Sequence, residues 1–566
     1  MLNKESESLL SKLLLIGPAA VTLLVFTSGV TDPVNVNKLL LLGVLSFSAF
    51  GILSLKTIQF IWNEHKVLVI ALIGFLAASI NSLIQSSSPM SQQLYGVYGR
   101  NNGFLLYLFL LLLFVATLTF NKLTTANSIV KSIAIAGAVN LLYCGWVLAF
   151  GDFLGWTNPY GNILGTLGNP NFIGAFLGMF SSVLVSVAIA NYKKPKYLIF
   201  ILMAFALAGI EIVKSHAIQG RVLLVLGLTI NGFYFIRSRV HNSVPLIIFS
   251  VASGLGGLIA LLGTLQIGPL TKILYKESVS LRGEYWHAGL SMAKTHLLSG
   301  VGFDSYGDWY RVSRRASALI KPGPETVSNA SHNVVIDIFA FGGLLLLIFY
   351  LTIIVLVFFS ITKYSLRNRE FDFIFVSLVG AWLCFQLQSI ISINQVGLAV
   401  WGWVLGAAII AYERINRENM SSEKAKVANR SKKSNVSQVV SPSLRAGIAM
   451  VLGVLLAVPP FSADVKWRSA QESRDAGKIE AALVPSYFNP SSTFKYLQII
   501  GALEDSHLSD LAHKYAVEAI KFNPHSYESW RLFTLIQTAT PEEKQIALAK
   551  MKELDPRNPN IISGVK

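Results

Sequence analysis

The sequence predicts an all-α fold: a polytopic transmembrane bundle of about thirteen spans, one large extracytoplasmic loop and a C-terminal α-helical repeat domain. Three observations carry that prediction. Apolar stretches of membrane-spanning length recur through most of the chain; a polar stretch, residues 265–331, interrupts them at a length far beyond an ordinary connection; and the sequence after the last apolar stretch turns soluble and repeats itself. Hydrophobic residues make up 53% and charged residues only 14% of 566 positions, with a mean hydropathy of +0.55, which excludes an ordinary soluble globular chain.

Read at about 17–25 residues per helix, the spans fall near 11–29, 38–55, 67–84, 104–120, 128–150, 173–190, 197–213, 222–236, 244–264, 332–359, 373–393, 396–412 and 446–461. The first run, residues 13–26, follows Lys4 and Lys12 without a small-x-small cleavage pattern after it, so it reads as a retained helix and not a signal peptide. Basic residues set the orientation. With a cytoplasmic amino terminus, the short outside loops carry only Arg100, Lys214 and Arg221, whereas residues 413–445 alone carry eight Lys and Arg on the inside. The formal net charge of +17 then reflects retention at one membrane face and not nucleic-acid binding. The expected location is the cytoplasmic (inner) membrane. Cys144 and Cys384 lie inside apolar stretches, which supports neither a disulfide framework nor a thiolate metal site.

Residues 1–412 form the membrane core in this reading. Residues 413–445, rich in Lys, Ser, Asn and Glu, read as a flexible cytoplasmic linker, and 446–462 as the final span. Residues 463–566 follow outside. They contain Phe488-Asn489-Pro490, Phe522-Asn523-Pro524 and Leu554-Asp555-Pro556, with prolines 34 and then 32 residues apart. That is the period of tetratricopeptide helix pairs, and Ala516, Ala519, Tyr527 and Trp530 stand where such repeats put packing residues. The tail resembles a short array of that family, which implies a peptide or protein partner on its concave face and an accessory role separable from the core.

The chemistry concentrates at one face. Arg221 stands just before an apolar helix, where the positive end of the helix dipole makes a cation unwelcome unless an anion is bound. Arg282 and His332 bracket the long loop. Two arginines and a histidine beside outward helix N-termini point to a lipid-linked phosphate substrate. Arg100, in Tyr98-Gly99-Arg100-Asn101-Asn102-Gly103, is the third outward arginine near a helix start. The chain has no Asp-x-Asp element in an outward loop and no His/Cys cluster at ligand spacing, so neither a metal nor another cofactor is expected.

The loop reads Leu281-Arg282-Gly283-Glu284-Tyr285-Trp286-His287-Ala288-Gly289-Leu290-Ser291-Met292, then Gly300-Val301-Gly302-Phe303-Asp304, and closes on Ser331-His332-Asn333. This resembles the O-antigen ligase and polymerase superfamily, whose periplasmic loop carries Arg-x-x-x-Trp-x-x-Gly/Ala-x-x-Met, a Gly-x-Gly, and a His-Asn pair opening the next helix. The resemblance covers roughly residues 90–410. Leu297 stands where the family often has a proline before the Gly-x-Gly. Gly168-Asn169-Pro170-Asn171 is similar to an element of relatives that glycosylate proteins, and Gly220-Arg221 to the arginine opening a mid-chain helix.

The resemblance implies a glycan donor on polyprenyl pyrophosphate within the membrane lipid, and transfer to an acceptor hydroxyl on a lipid, a growing polysaccharide or a protein. It assigns pyrophosphate binding and leaving-group stabilisation to Arg221 and Arg282, and proton removal from the acceptor to His332; Arg100, by its position alone, is open to a pyrophosphate contact, a sugar contact or a structural role. Asn169, Trp286 and Asp304 would contact glycan or acceptor, with Asp308 a weaker candidate. Trp286, Tyr306, Trp309 and Tyr310 are open to stacking on sugars or to simple interfacial placement. The bland alternatives are an Arg282 paired with Glu284 and a His332 that merely caps a helix. The rival function is a non-catalytic transporter or flippase of lipid-linked saccharides, whose cations would line a path near mid-membrane. A membrane-anchored scaffold presenting the repeats would leave most of the spans unexplained.

Overall fold

The computed structural model describes residues 2–274, 281–425, 440–473 and 475–562. Among these the fold is all-helical, with one isolated bridge between Ser486 and Asn489. Eleven helices are long and apolar enough to cross a membrane, or twelve if Asn35–Gly51 and Leu55–Glu64, bent by 90° at their junction, form one span. Of the about thirteen spans expected, the segment near 104–120 is the one whose helix is short. Its helix, Phe104–Thr117, has 14 residues and rises about 21 Å, short of a hydrocarbon core. Leu106, Phe109, Leu110 and Leu113 are fully buried, so this helix meets other helices and need not match the bilayer.

Burial separates central from peripheral helices. The apolar window of the Val396–Met420 span is wholly buried, as an all-round apolar helix should be when other helices surround it. Only 6% of the apolar window in Ser243–Thr264 is buried; Ile247, Ile248, Val251, Leu255 and Leu258 point outward, a surface suited to lipid and not to water. The two ends of the bundle differ in charge. At one end Arg414 donates to the Phe120 carbonyl at 2.6 Å, Arg445 to the Ile52 carbonyl at 2.8 Å, Arg417 pairs with Glu64 and Arg367 with Glu413. The opposite end carries the 281–333 segment and the tail.

Two boundaries differ from expectation. The helix Val396–Ala425 extends into the stretch read as linker, and residues 426–439 lie outside the described residues. The final span does not end at 462: one helix runs Pro442–Ser473 through Pro459 and Pro460. It is held on both sides of the prolines, since Gly453 and Ala457 pack against Gly43, and Trp467 and Ala470 join the tail's core. The tail continues with Ala476–Leu483, Thr493–Asp505, Ser509–Phe522, Tyr527–Leu535, Pro541–Leu554 and Pro559–Ile562. Asn489, Asn523 and Asp555, each preceding a periodic proline, are all buried.

The loop is welded to the bundle at a break in the helix Val334–Arg367. Gly343 lies at φ 71°, ψ −164°, which interrupts the helical hydrogen bonds. The groups so released are satisfied from the loop: Val301 N–H donates to the Ala340 carbonyl at 2.8 Å, Gly302 N–H to Phe341 at 3.1 Å, and Leu344 N–H to Leu297 at 2.7 Å. That docking needs glycine. Gly300 sits at φ +66°, and a Cβ there would meet the Phe341 carbonyl at 2.3 Å. Gly300→Ala is expected to destabilise the protein by at least about 1–2 kcal/mol from left-handed backbone strain alone, measured as a lower unfolding temperature. Gly283→Ala, on an exposed helical position with open space around it, is the control expected to show no loss.

Candidate active site

The turn that presents His332 is tied down by its neighbours. Asn333, not His332, caps the helix Val334–Arg367, its side chain accepting from Val335 N–H at 3.0 Å and Ile336 N–H at 3.2 Å. Ser331 donates its hydroxyl to the Asn333 carbonyl at 2.8 Å, and the Asp337 carboxylate accepts from Ser331 N–H at 2.8 Å. Between them His332 is held at φ +58°, one residue outside the cap. Its ring lies 5.7 Å from that of Tyr285. Burial, then the charges of Arg282 and Arg100, push its pKa down to about 4. The imidazole is neutral at physiological pH, through desolvation and two guanidinium groups.

Arg282 opens the helix Arg282–Thr295. It is not paired with Glu284, whose carboxylate instead takes Arg315 through two bonds of 2.7 Å and Ser317 as well. Among the described residues Arg282 forms no ion pair, and burial pulls its pKa below the ordinary arginine range while leaving it charged. A cation at a helix N-terminus without a counter-charge is unfavourable until an anion arrives. On the same helix the Trp286 indole nitrogen is buried without a partner.

Arg100 is held by Asp304. One carboxylate oxygen of Asp304 accepts from Val97 N–H at 2.8 Å and Asn102 N–H at 3.3 Å, bracketing the turn that carries Arg100. Gly96 lets the carboxylate approach; a Cβ there would lie 2.7 Å from it. Asp304 is 1% exposed, and burial raises its pKa while Arg100 opposes the rise. The Arg100 Nε has no partner, and its charge acts on Asp304, Asp337 and His332. Asp304, read from sequence as a sugar contact, therefore first serves to position an arginine.

Arg221 and Asn169 form a second group. Gly220 packs directly on Gly174, where a Cβ would meet the Gly174 carbonyl at 2.8 Å, and Gln219 donates to the Asn171 carbonyl at 2.6 Å. Two helix N-termini, those of Pro170–Ala190 and Ile218–Arg239, are thereby set side by side. The Arg221 Nε is buried without a partner. Asn169 caps its helix through Asn171 N–H at 2.9 Å and donates to the Tyr160 hydroxyl at 3.0 Å. Among the described residues no contact joins this pair to His332, Arg282 or Arg100. They open at the same end of the bundle: Gly168 abuts Val34, and the adjacent Asn35 donates to the Gly99 carbonyl at 2.7 Å.

The other loop aromatics are packed into the structure, although the Trp309 indole nitrogen and the Tyr310 hydroxyl, like the Trp286 nitrogen, have no hydrogen-bond partner. Tyr306 and Tyr310 are fully buried, and the Tyr306 hydroxyl donates to the Tyr285 carbonyl at 2.5 Å. Trp309 stacks on the tail's His525 and meets His296 edge-on, each ring centre at 4.7 Å. Asp308 accepts from Gln92 at 2.9 Å and from Asn523 of the tail at 3.1 Å. Sequence reasoning missed Asp337 and Tyr285; an aspartate in the first turn of an otherwise apolar helix was the available signal for the former. Among the described residues no three His, Cys, Asp or Glu side chains group to hold a metal ion. Comparison with models of known protein families and with curated proteins finds no match to this chain.

Proposed function

We propose that this protein is a membrane glycosyltransferase resembling the O-antigen ligase superfamily, moving a preassembled glycan from polyprenyl pyrophosphate to an acceptor hydroxyl at the outward membrane face. The observation that supports it is a neutral His332 facing two arginines, neither in an ion pair among the described residues. Arg100 and Arg282 bind the pyrophosphate, with Arg221 contributing at the same end of the bundle. The acceptor oxygen bonds to the anomeric carbon as the bond from that carbon to the pyrophosphate oxygen breaks. The electron pair leaves with the pyrophosphate, whose growing charge the guanidinium groups stabilise, and the acceptor proton passes to His332.

A base with a pKa of about 4 is weak. Donor binding corrects it, because the pyrophosphate charge offsets Arg100 and Arg282, the two cations that depress it. Purified protein given a synthetic polyprenyl-pyrophosphate glycan tests the reading by release of polyprenyl pyrophosphate with and without candidate acceptors. Saturable donor binding with no release under any acceptor overturns it in favour of a carrier for lipid-linked sugar.

Two further outcomes are expected. Arg282→Lys keeps a charge but loses the planar two-donor fork, so turnover falls along with donor affinity; unchanged kcat would remove Arg282 from the reacting centre. For orientation, a cysteine at the exposed loop position Ile320 reacts with an impermeant maleimide in intact cells, while one at Leu366, exposed near the basic end, does not. The two native cysteines are buried and do not interfere. Labelling at Leu366 alone would invert the topology.

A further inference from the structure

A cavity of about 510 Å³ lies between the membrane core, the loop and the tail. It contains neither His332 nor Arg282, but Asp304 is in its wall, and Asp304 holds the Arg100 turn, so the cavity adjoins the proposed reacting centre. We infer that this cavity receives the acceptor, as a saccharide; the inference rests on the glycosyl-transfer reading above.

Charge sorts the two substrates. Six carboxyl side chains line the cavity, Asp304 and Asp464 among them, against Arg311 and Lys495. Both cations are engaged, Arg311 with Asp555 and Glu528, Lys495 with the Asn489 side chain at 2.8 Å. Such a wall repels a pyrophosphate and is matched by hydroxyl donors. Asp304 and Asp464 are 1% and 4% exposed, and Asp304 keeps one carboxylate oxygen without a hydrogen-bond partner. An unmet buried acceptor is costly, and a ligand hydroxyl removes the cost.

A saccharide fits better than a polypeptide. Extended peptides dock on strand edges or in grooves with side-chain slots. Here the Tyr98 and Phe494 rings stack on each other at 3.9 Å, and the Arg311 guanidinium covers Tyr527 at 4.0 Å, so one face of each of these rings is already taken.

The test places a cysteine at Ser492, a half-buried cavity residue, in the full-length protein, where the native cysteines are buried. The rate of maleimide labelling is then followed with three probes. Neutral oligosaccharides released from the source cell's envelope polysaccharide are expected to slow it at least about tenfold at saturation. Inorganic pyrophosphate and a serine-containing peptide are expected to leave it unchanged. Protection by pyrophosphate would make this a donor site, and protection by the peptide alone a polypeptide site; either overturns the inference. In parallel, Ser492→Trp, which fills the cavity, is expected to raise acceptor KM about tenfold without changing donor affinity; an unmoved acceptor KM overturns it. Failure of the glycosyl-transfer reading shows separately, as no polyprenyl pyrophosphate release by the unaltered protein whatever the labelling result.

Discussion

His332→Ala is expected to lower turnover by about 10²–10⁴-fold while leaving donor affinity nearly unchanged, because a general base acts in the transition state and not on the bound lipid. The pH profile supplies a readout that a merely structural histidine would not move. The proton acceptor is the neutral form, so kcat/KM, which reports the free enzyme, should be flat through neutrality and fall as pH drops through about 4. The acid limb of kcat, which reports the donor complex, should lie higher, since bound pyrophosphate offsets the two arginines. Coincident limbs would mean that the donor does not sit against His332, and full turnover by the alanine variant would remove it from the chemistry. The same depressed pKa bears on stability. An unfolded chain takes up this proton near pH 6.5 and the folded one not until about 4, so acid in that window favours unfolding.

Asp555→Ala is expected to cost about 3–5 kcal/mol, the penalty for stranding buried charge. Asp555 and Arg314 have fully buried side chains and meet at 2.6 Å; Arg311, nearly as buried, reaches the same carboxylate at 3.1 Å. Both arginines also donate to the Pro324 carbonyl, at 2.7 and 3.1 Å. One tail carboxylate thus bridges two loop cations, and the tail's Glu528 adds a second contact to Arg311 at 3.0 Å. Its removal should lower the unfolding temperature and make the tail separable by limited proteolysis, with Asp555→Asn intermediate. Glu553→Ala, on an exposed neighbour, should change stability by no more than about 0.5 kcal/mol. Equal unfolding temperatures for Asp555→Ala and Glu553→Ala would deny the network any role. The tail read from sequence as a separable accessory is therefore expected to be needed by the loop: deleting it strands Arg311 and Arg314 and uncovers Trp309.

How much of this was legible beforehand depends on the range of the interaction involved. Apolar runs of spanning length, the basic residues between them and the periodic prolines are local patterns, and from them follow the all-helical class, the multi-pass core and the soluble helical tail. The Gly300 and Gly302 positions were visible as a motif, yet their reason was not, because the partner is a helix break at Gly343 formed elsewhere in the chain. Span ends misled where packing outweighs local signals: Pro459 and Pro460 look like a terminus, but contacts to Gly43 on one side and the tail core on the other carry the helix through them. The candidate site divides in the same way. Arg100 could be nominated from charge placed beside an apolar helix start, and Arg282 and His332 from their place at the two ends of the long loop and in its motif. That Glu284 belongs to Arg315 and not to Arg282, that Asp304 holds the Arg100 turn, and that Asp555 reaches the loop were decided by tertiary structure alone, since each depends on which buried charge finds its partner across hundreds of residues, and sequence spacing carries no information about that.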